Sequence, residues 1–195
     1  YDWFADGATN ILRSQRGDGS IPLCRWGPQH GTPLCIMFLV YGGAPVAFNK
    51  LQYGDGYDWN LNPRDLANLS KDLWSAYESP VNWQTVSIDA PATEFEAPVL
   101  FISGSKAAKF DEEQVLKLRE YVLRGGTILA EPSDGAPEFA KSMEELLAAM
   151  FDPREHPSFG LEPLAADHAI YNVVDQPWKK RPKLRGASDG SRVFF

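Results

Sequence analysis

The sequence contains few cysteines and histidines, and it has no long apolar run. Its 195 residues include two cysteines and three histidines, and Cys24 and Cys35 fit no common metal-binding spacing. These thiols could form a disulfide or stay reduced, and two buried thiols are the simpler interpretation. The apolar run at residues 34–41 is far shorter than the roughly 18 residues that a membrane helix needs. The sequence therefore predicts no membrane segment in this chain.

Acidic residues outnumber basic residues, 26 to 19. The formal net charge is -7 and the isoelectric point is about 5.0, whereas nucleic-acid-binding proteins usually carry a basic face or stripe. The single basic cluster, which lies among prolines and glycines, comprises Lys179, Lys180, Arg181, Lys183 and Arg185. A solvated loop is the preferred interpretation of this cluster, and an anion-binding role is the alternative. We expect no nucleic-acid partner.

The apolar content is enough for one domain and a piece of another. Hydrophobic residues make up 44% of the chain, with six tryptophans and eleven phenylalanines. Residues 1–48 are typical of a helix, a glycine turn and a second helix, and residues 49–195 form a second region that we expect to be truncated at its C-terminus. Tyr1 is not an initiator methionine, so localisation stays open, and removal of an upstream signal would place the protein outside the cytoplasm.

From residue 49 onward, strand-like and helix-like stretches alternate. Strands are predicted near residues 50–53, 84–88, 98–103 and 127–131, with a further strand at 192–195. Such alternation predicts an α/β fold of flavodoxin-like type, a three-layer sandwich around a mostly parallel sheet with right-handed crossovers.

Three helices are predicted between these strands. The first begins at Pro63, the second begins at a capping box formed by Asp111 and Gln114, and the third spans residues 137–150. Their apolar faces are predicted to be Leu66, Leu69, Leu73 and Tyr77 in the first, Val115, Leu118 and Val122 in the second, and Phe139, Met143, Leu146, Leu147 and Met150 in the third.

A ligand site is predicted at the carboxyl ends of the strands, where open α/β sheets bind their ligands. Three turns should meet there, at residues 54–60, 104–106 and 131–135, and their carboxylates favour a cationic or hydroxyl-rich ligand. The candidate ligand-binding residues are Asp55, Asp58, Trp59, Asn60, Gly104, Ser105, Glu131, Ser133, Asp134 and His168.

Each of these candidates also has a structural interpretation. Acidic residues in turns commonly cap the backbone, although Asp55, Asp58, Glu131, Asp134 and His168 could together hold a hard cation. An aromatic side chain such as Trp59 more often covers the edge of a core than the floor of a pocket. A histidine such as His168 more often pins its own loop than acts as a base when no nucleophile is nearby.

Residues 49–195 carry a series of ordered motifs: Leu51-Gln52-Tyr53-Gly54-Asp55, Trp59-Asn60, Pro63, the strand at 99–104, Asp111-Glu112-Glu113, Gly125-Gly126-Thr127, Leu161-Glu162-Pro163-Leu164 and Asp167-His168-Ala169-Ile170-Tyr171. Together these motifs resemble one uncharacterised bacterial domain family related to class I glutamine amidotransferases. The resemblance implies a nucleophilic cysteine on the turn that follows the fourth strand. That turn, residues 130–135, contains no cysteine.

The missing thiol bears directly on function, because the thiolate is the attacking group in such enzymes. Ser133 could replace it, but the surrounding residues are not Gly-x-Ser-x-Gly, and a turn-stabilising serine is the preferred interpretation. We therefore expect a non-catalytic binding or interaction module for an unknown small ligand or protein partner, with no cofactor, no metal and no glutaminase activity. The alternative is a hydrolase or transferase that uses Asp or Glu side chains and His168, with or without a metal.

Residues 1–48 resemble the last repeat of a squalene-cyclase or prenyltransferase-type α-toroid. The resemblance rests on residues 15–20 followed by residues 32–40, although Ile21 stands where such repeats carry an aromatic residue. Stacked repeats need neighbours to bury their apolar faces. The resemblance therefore implies further toroid repeats upstream in the full-length protein.

Overall fold

The computed structural model describes residues 3–22, 25, 27–157, 159–171, 182–188 and 193–194. Cys24 and the basic residues 179–181 lie outside these ranges. The chain divides into two compact units, residues 1–46 with 67–83 and residues 47–66 with 84–195. Across the described residues, no helix is long and apolar enough to cross a membrane.

The first unit contains α1 (Trp3–Ser14) and α2 (Pro28–Gly42). Ile11, Ile21 and Cys35 form its small buried cluster, with Phe38 and Leu39 packed against them. The predicted succession of helix, glycine turn and helix is confirmed. Cys35 is buried, which agrees with the interpretation of the cysteines as buried thiols.

Within the described ranges, the sheet has seven strands in the order β2-β1-β3-β4-β7-β6-β5. They are β1 (Val46–Gln52), β2 (Asn82–Ser87), β3 (Val99–Gly104), β4 (Thr127–Pro132), β5 (Glu162–Pro163), β6 (Arg185–Ser188) and β7 (Val193–Phe194). The first four form a parallel sheet flanked by helices, which agrees with the predicted flavodoxin-like sandwich. β7 is parallel to β4, whereas β6 is antiparallel to both of its neighbours.

Two of the remaining helices are placed as predicted. α4 (Glu112–Leu123) begins at the capping box of Asp111 and Gln114, and α5 (Pro137–Met150) presents its whole predicted apolar face to the core. The main core joins these helices to the apolar residues of β1, β3 and β4, including Leu51, Leu100 and Ile128. The continuous apolar run of β3 is almost fully buried, because a parallel strand is covered on both faces.

The structure differs from the predictions at several elements. β5 and β6 were not predicted, and β2 begins at Asn82, two residues before its predicted start. β1 begins at Val46, four residues before the predicted start at Lys50. α3 (Asp65–Tyr77) begins two residues after Pro63, and only part of its predicted apolar face is buried. Leu66 is buried, but Leu69 and Tyr77 are exposed, because the covered face instead follows Leu66, Ser70 and Leu73 at helical spacing.

Candidate functional site

The turn that follows β1 is tied to the turn that follows β3 by a single carboxylate. Asp58 accepts hydrogen bonds from the backbone N–H groups of Ser105 (2.9 Å) and Lys106 (3.0 Å), and from the Ser105 hydroxyl (2.6 Å). Burial acts to raise the pKa of Asp58, but these hydrogen bonds outweigh it and the pKa is lowered. Asp58 and Ser105, two predicted ligand-binding residues, therefore bind each other and close the crevice expected between these turns.

The closed crevice is tightly packed around Gly104. A Cβ atom at this position would collide with the Tyr53 hydroxyl, and it would lie 2.8 Å from Asp58 Oδ2 and 2.9 Å from Phe139 Cδ2. Tyr53 donates to the carbonyl oxygen of Ser103 (2.8 Å), and its pKa is raised by burial and by the charge of Asp58. Gly104 thus lets two loops and α5 meet at close range.

We expect Asp58→Asn to lower the free energy of unfolding at pH 7 by about 2 kcal/mol, because hydrogen bonds to a charged acceptor are the stronger kind. The folded-state pKa of Asp58 lies below its ordinary value of 3.8. Its stabilisation is therefore present above that value and is lost as the pH falls through the lowered pKa. Urea denaturation at pH 7 and at pH 3 should show a smaller difference between variant and parent at the lower pH.

Asp55→Asn is the matched control, since Asp55 lies in the same turn with an exposed side chain. We expect this control to change stability by no more than about 0.5 kcal/mol. Equal effects of the two substitutions would show that the hydrogen bonds of Asp58 do not hold the turns together.

The turn that follows β4 reverses the chain through two residues in the left-handed backbone conformation. Asp134 and Gly135 both have positive φ angles, 54° and 73°, so the chain reverses sharply before α5. Asp134 is exposed, whereas Ser133 is buried, and the Ser133 hydroxyl makes no hydrogen bond within the described part of the chain. A buried hydroxyl without a partner is costly, and in a turn at the carboxyl edge it is available to a bound polar group.

A buried ion pair lies at the same edge and was missed by the sequence analysis. The side chain of Lys50 is 1% exposed, and its ammonium group donates to Asp65 Oδ2 (2.7 Å) and to the carbonyl oxygen of Asn62 (2.9 Å). The available signal was a lysine inside the apolar strand β1, because a charged side chain at such a position requires a partner.

Both charges of this pair act electrostatically on Glu131, the last carboxylate of β4. Glu131 is exposed as a residue, yet partial burial of its carboxyl group and the nearby charge of Asp65 raise its pKa, an effect that Lys50 lessens. Two carboxylates and one ammonium group therefore act on one another here. The cluster carries a net negative charge when all three groups are ionised.

The remaining candidates are dispersed. Trp59 is buried in the core cluster, as the structural interpretation of this residue required, and Asn60 is half-buried beside it. His168 is half-buried in a separate loop, where its Nδ1 atom accepts a hydrogen bond from the Ile170 N–H (3.3 Å). Within the described ranges, no three His, Cys, Asp or Glu side chains lie close enough to hold a metal ion. The hard-cation site considered from the sequence is therefore not assembled.

In a comparison with protein-family models, residues 47–188 match a family described as Domain of unknown function (DUF4159). The chain belongs to this family. The DUF4159 match begins within β1 and includes all three turns at the carboxyl edge, so the candidate site lies inside the family domain. None of the curated proteins that were compared with the chain matches it.

Proposed function

We propose that this DUF4159 domain is a non-catalytic binding or interaction module. It takes a cationic or hydroxyl-rich group, from a small ligand or a protein partner, at the carboxyl edge of its sheet. The observation that carries this proposal is Glu131, an accessible carboxylate whose pKa is raised by partial burial and by the charge of Asp65, the carboxylate that pairs with the buried Lys50.

The charge balance supports a cationic or hydrogen-bond-donating ligand. Asp65 already binds the Lys50 ammonium group at 2.7 Å, and burial together with the charge of Asp65 raises the pKa of Glu131, an effect that Lys50 only partly offsets. A ligand ammonium or hydroxyl group at Glu131 would relieve that repulsion, whereas a phosphate would add to it. Asp55 and Asp134, which are exposed in the neighbouring turns, add further negative charge.

The proposal also includes the two family resemblances that the sequence indicates. The first is a likeness to class I glutamine amidotransferases, and the absence of cysteine from the turn after β4 argues against amide chemistry. The second is a fused toroid, whose repeats would cover the exposed apolar residues of α2, among them Leu34, Met37 and Val40.

We expect Glu131→Gln to weaken binding of a cationic probe at the carboxyl edge at least tenfold. The measurement is an NMR titration at pH 7 with two probes, butylammonium chloride and sorbitol, which represent the cationic and the hydroxyl-rich classes. Amide shifts should change in Glu131 and in residues 133–135 of the parent. Glu138→Gln is the matched control, because Glu138 is an exposed glutamate in the first turn of α5.

The pH dependence gives a second reading of the same experiment. Glu131 must be ionised to bind a cation, and its pKa lies above the ordinary value of 4.5. Butylammonium binding should therefore weaken at a pH higher than an ordinary glutamate would allow. Binding that is unchanged in Glu131→Gln, or shift changes confined to other regions with both probes, would contradict the proposal.

A further inference from the structure

One end of the sheet is formed by β2 (Asn82–Ser87), whose single neighbour among the described strands is β1. The strands next to the C-terminal residues outside the described ranges, β5, β6 and β7, lie at the opposite end. Gln84 and Thr85 are adjacent, so their side chains point to opposite faces of the sheet, and both are exposed. The middle of β2 is therefore accessible from both faces.

Alternate residues of β2 direct their backbone groups away from β1. The N–H groups of Asn82 and Ile88 donate to the carbonyl oxygens of Pro45 (2.8 Å) and Gln52 (2.9 Å), at the two ends of β1. Both donors have even numbers, and the direction of the backbone groups alternates along a strand, so the even-numbered residues face β1. The odd-numbered residues of β2 face outwards, and they are Trp83, Thr85 and Ser87.

Nothing in β2 discourages the approach of another strand. Outside the β1–β2 pairing, the described residues give the backbone groups of Trp83 and Thr85 no hydrogen bond. Soluble proteins protect such an edge with lysine or other charged side chains, with proline or with a bulge. The sequence of β2, Asn-Trp-Gln-Thr-Val-Ser, contains no charged residue, no proline and no glycine. Its outer edge is therefore open to backbone pairing.

The outward positions are symmetric about Thr85, which indicates the strand that fits them. An antiparallel copy of β2, related by a two-fold axis at Thr85, places Thr85 of one copy opposite Thr85 of the other, and Trp83 opposite Ser87. Hydrogen-bonded pairs recur at every second residue, so this register uses every outward position. Thr–Thr is a favourable cross-strand pair, and no two charges of one sign meet.

We propose that β2 is a dimerisation edge, at which two copies of this chain pair their β2 strands antiparallel about Thr85. The two sheets then form one continuous sheet. The contact lies on a different strand from Glu131 and is independent of the ligand proposed there.

The dimer should be weak and sensitive to salt. A strand of six residues forms a small interface, for which we expect a dissociation constant of about 10–100 µM. Each copy has a formal net charge of -7, so the two copies repel each other. Association should therefore strengthen as the ionic strength rises, because salt screens this repulsion.

The first test combines sedimentation equilibrium with hydrogen exchange of this chain between about 10 µM and about 500 µM. We expect a reversible equilibrium between monomer and dimer. The Thr85 amide should exchange roughly threefold more slowly, or slower still, at the highest concentration, whereas the Gln84 amide, which faces β1, should not change. A chain that stays monomeric, or a dimer in which Thr85 exchange is unchanged, would overturn the proposal.

The second test places opposite charges on the two-fold axis. Thr85→Lys and Thr85→Glu should each weaken self-association by about tenfold, because like charges then lie directly opposite each other. An equal mixture of the two variants should associate at least as tightly as the parent chain. A mixture that associates no more tightly than either variant alone would show that residue 85 does not lie opposite its own copy.

Thr93→Lys and Thr93→Glu are the matched controls, since Thr93 is an exposed threonine outside the strands. Both controls should dimerise like the parent, alone and mixed. Met37→Ser tests the competing contact, because Met37 is exposed on the apolar surface of α2. Loss of association in Met37→Ser, together with unchanged association in Thr85→Lys, would move the contact to α2 and overturn the proposal.

Discussion

Asp65→Asn should lower the free energy of unfolding by about 3 kcal/mol, one of the two largest effects that we expect in this protein. The reason is Lys50, whose side chain is 1% exposed and whose ammonium group is 2.7 Å from Asp65 Oδ2. Removing one partner of a buried ion pair leaves an uncompensated charge in a poorly solvated site. Urea denaturation at pH 7 measures the loss directly.

A second variant separates charge burial from other effects of the asparagine. The double change Lys50→Met with Asp65→Asn removes both charges and should recover most of the lost stability, because a packed apolar side chain needs no counterion. Asp72→Asn is the matched control on an exposed position of α3. An Asp65→Asn loss no larger than that of the control would show that Lys50 is stabilised without Asp65.

Gly104→Ala should be comparably destabilising, by about 3 kcal/mol, for a steric reason. The added Cβ atom would collide with the Tyr53 hydroxyl and would lie 2.8 Å from Asp58 Oδ2. Tyr53 is itself held by its hydrogen bond to the carbonyl of Ser103, so the turn that follows β1 cannot move without breaking that bond. Overpacking of this kind typically costs 1–3 kcal/mol, roughly, and occasionally more.

Gly56→Ala provides the comparison, because nothing lies within 4 Å of a Cβ atom at Gly56, in the turn that follows β1. We expect this substitution to change stability by no more than about 0.5 kcal/mol. If the two alanine variants unfold at the same urea concentration, the loops around Gly104 yield easily and the crevice between them is not rigidly closed.

Local signals in the sequence accounted for much of the fold. The capping box at Asp111, the apolar face of α5 and the continuous apolar run of β3 each depend on residues close in the chain, and each was predicted correctly. The face of α3 was predicted less well. Leu66 is 1% exposed and Leu69 is 37% exposed although both are leucines, because burial depends on what packs against a helix.

In the candidate site, too, the sequence predicted local features but not the contacts that depend on packing. The sequence located the turns at 54–60, 104–106 and 131–135, since a strand followed by a glycine-rich turn is a local pattern. It did not assign roles within them. Asp55 and Asp58 are the same residue type three positions apart, yet one is exposed and the other binds the next loop.

The sequence by itself determined the alternation of strands and helices, the helix caps and the absence of a cysteine from the turn after β4. These follow from backbone preferences and from apolar spacing, which act over a few residues. Only the tertiary structure decided that Asp58 holds two turns together and that Lys50 pairs with Asp65. It also decided that the charges of both residues act on the pKa of Glu131. Those interactions join residues from different strands and loops, and their strength depends on burial, which no local pattern specifies.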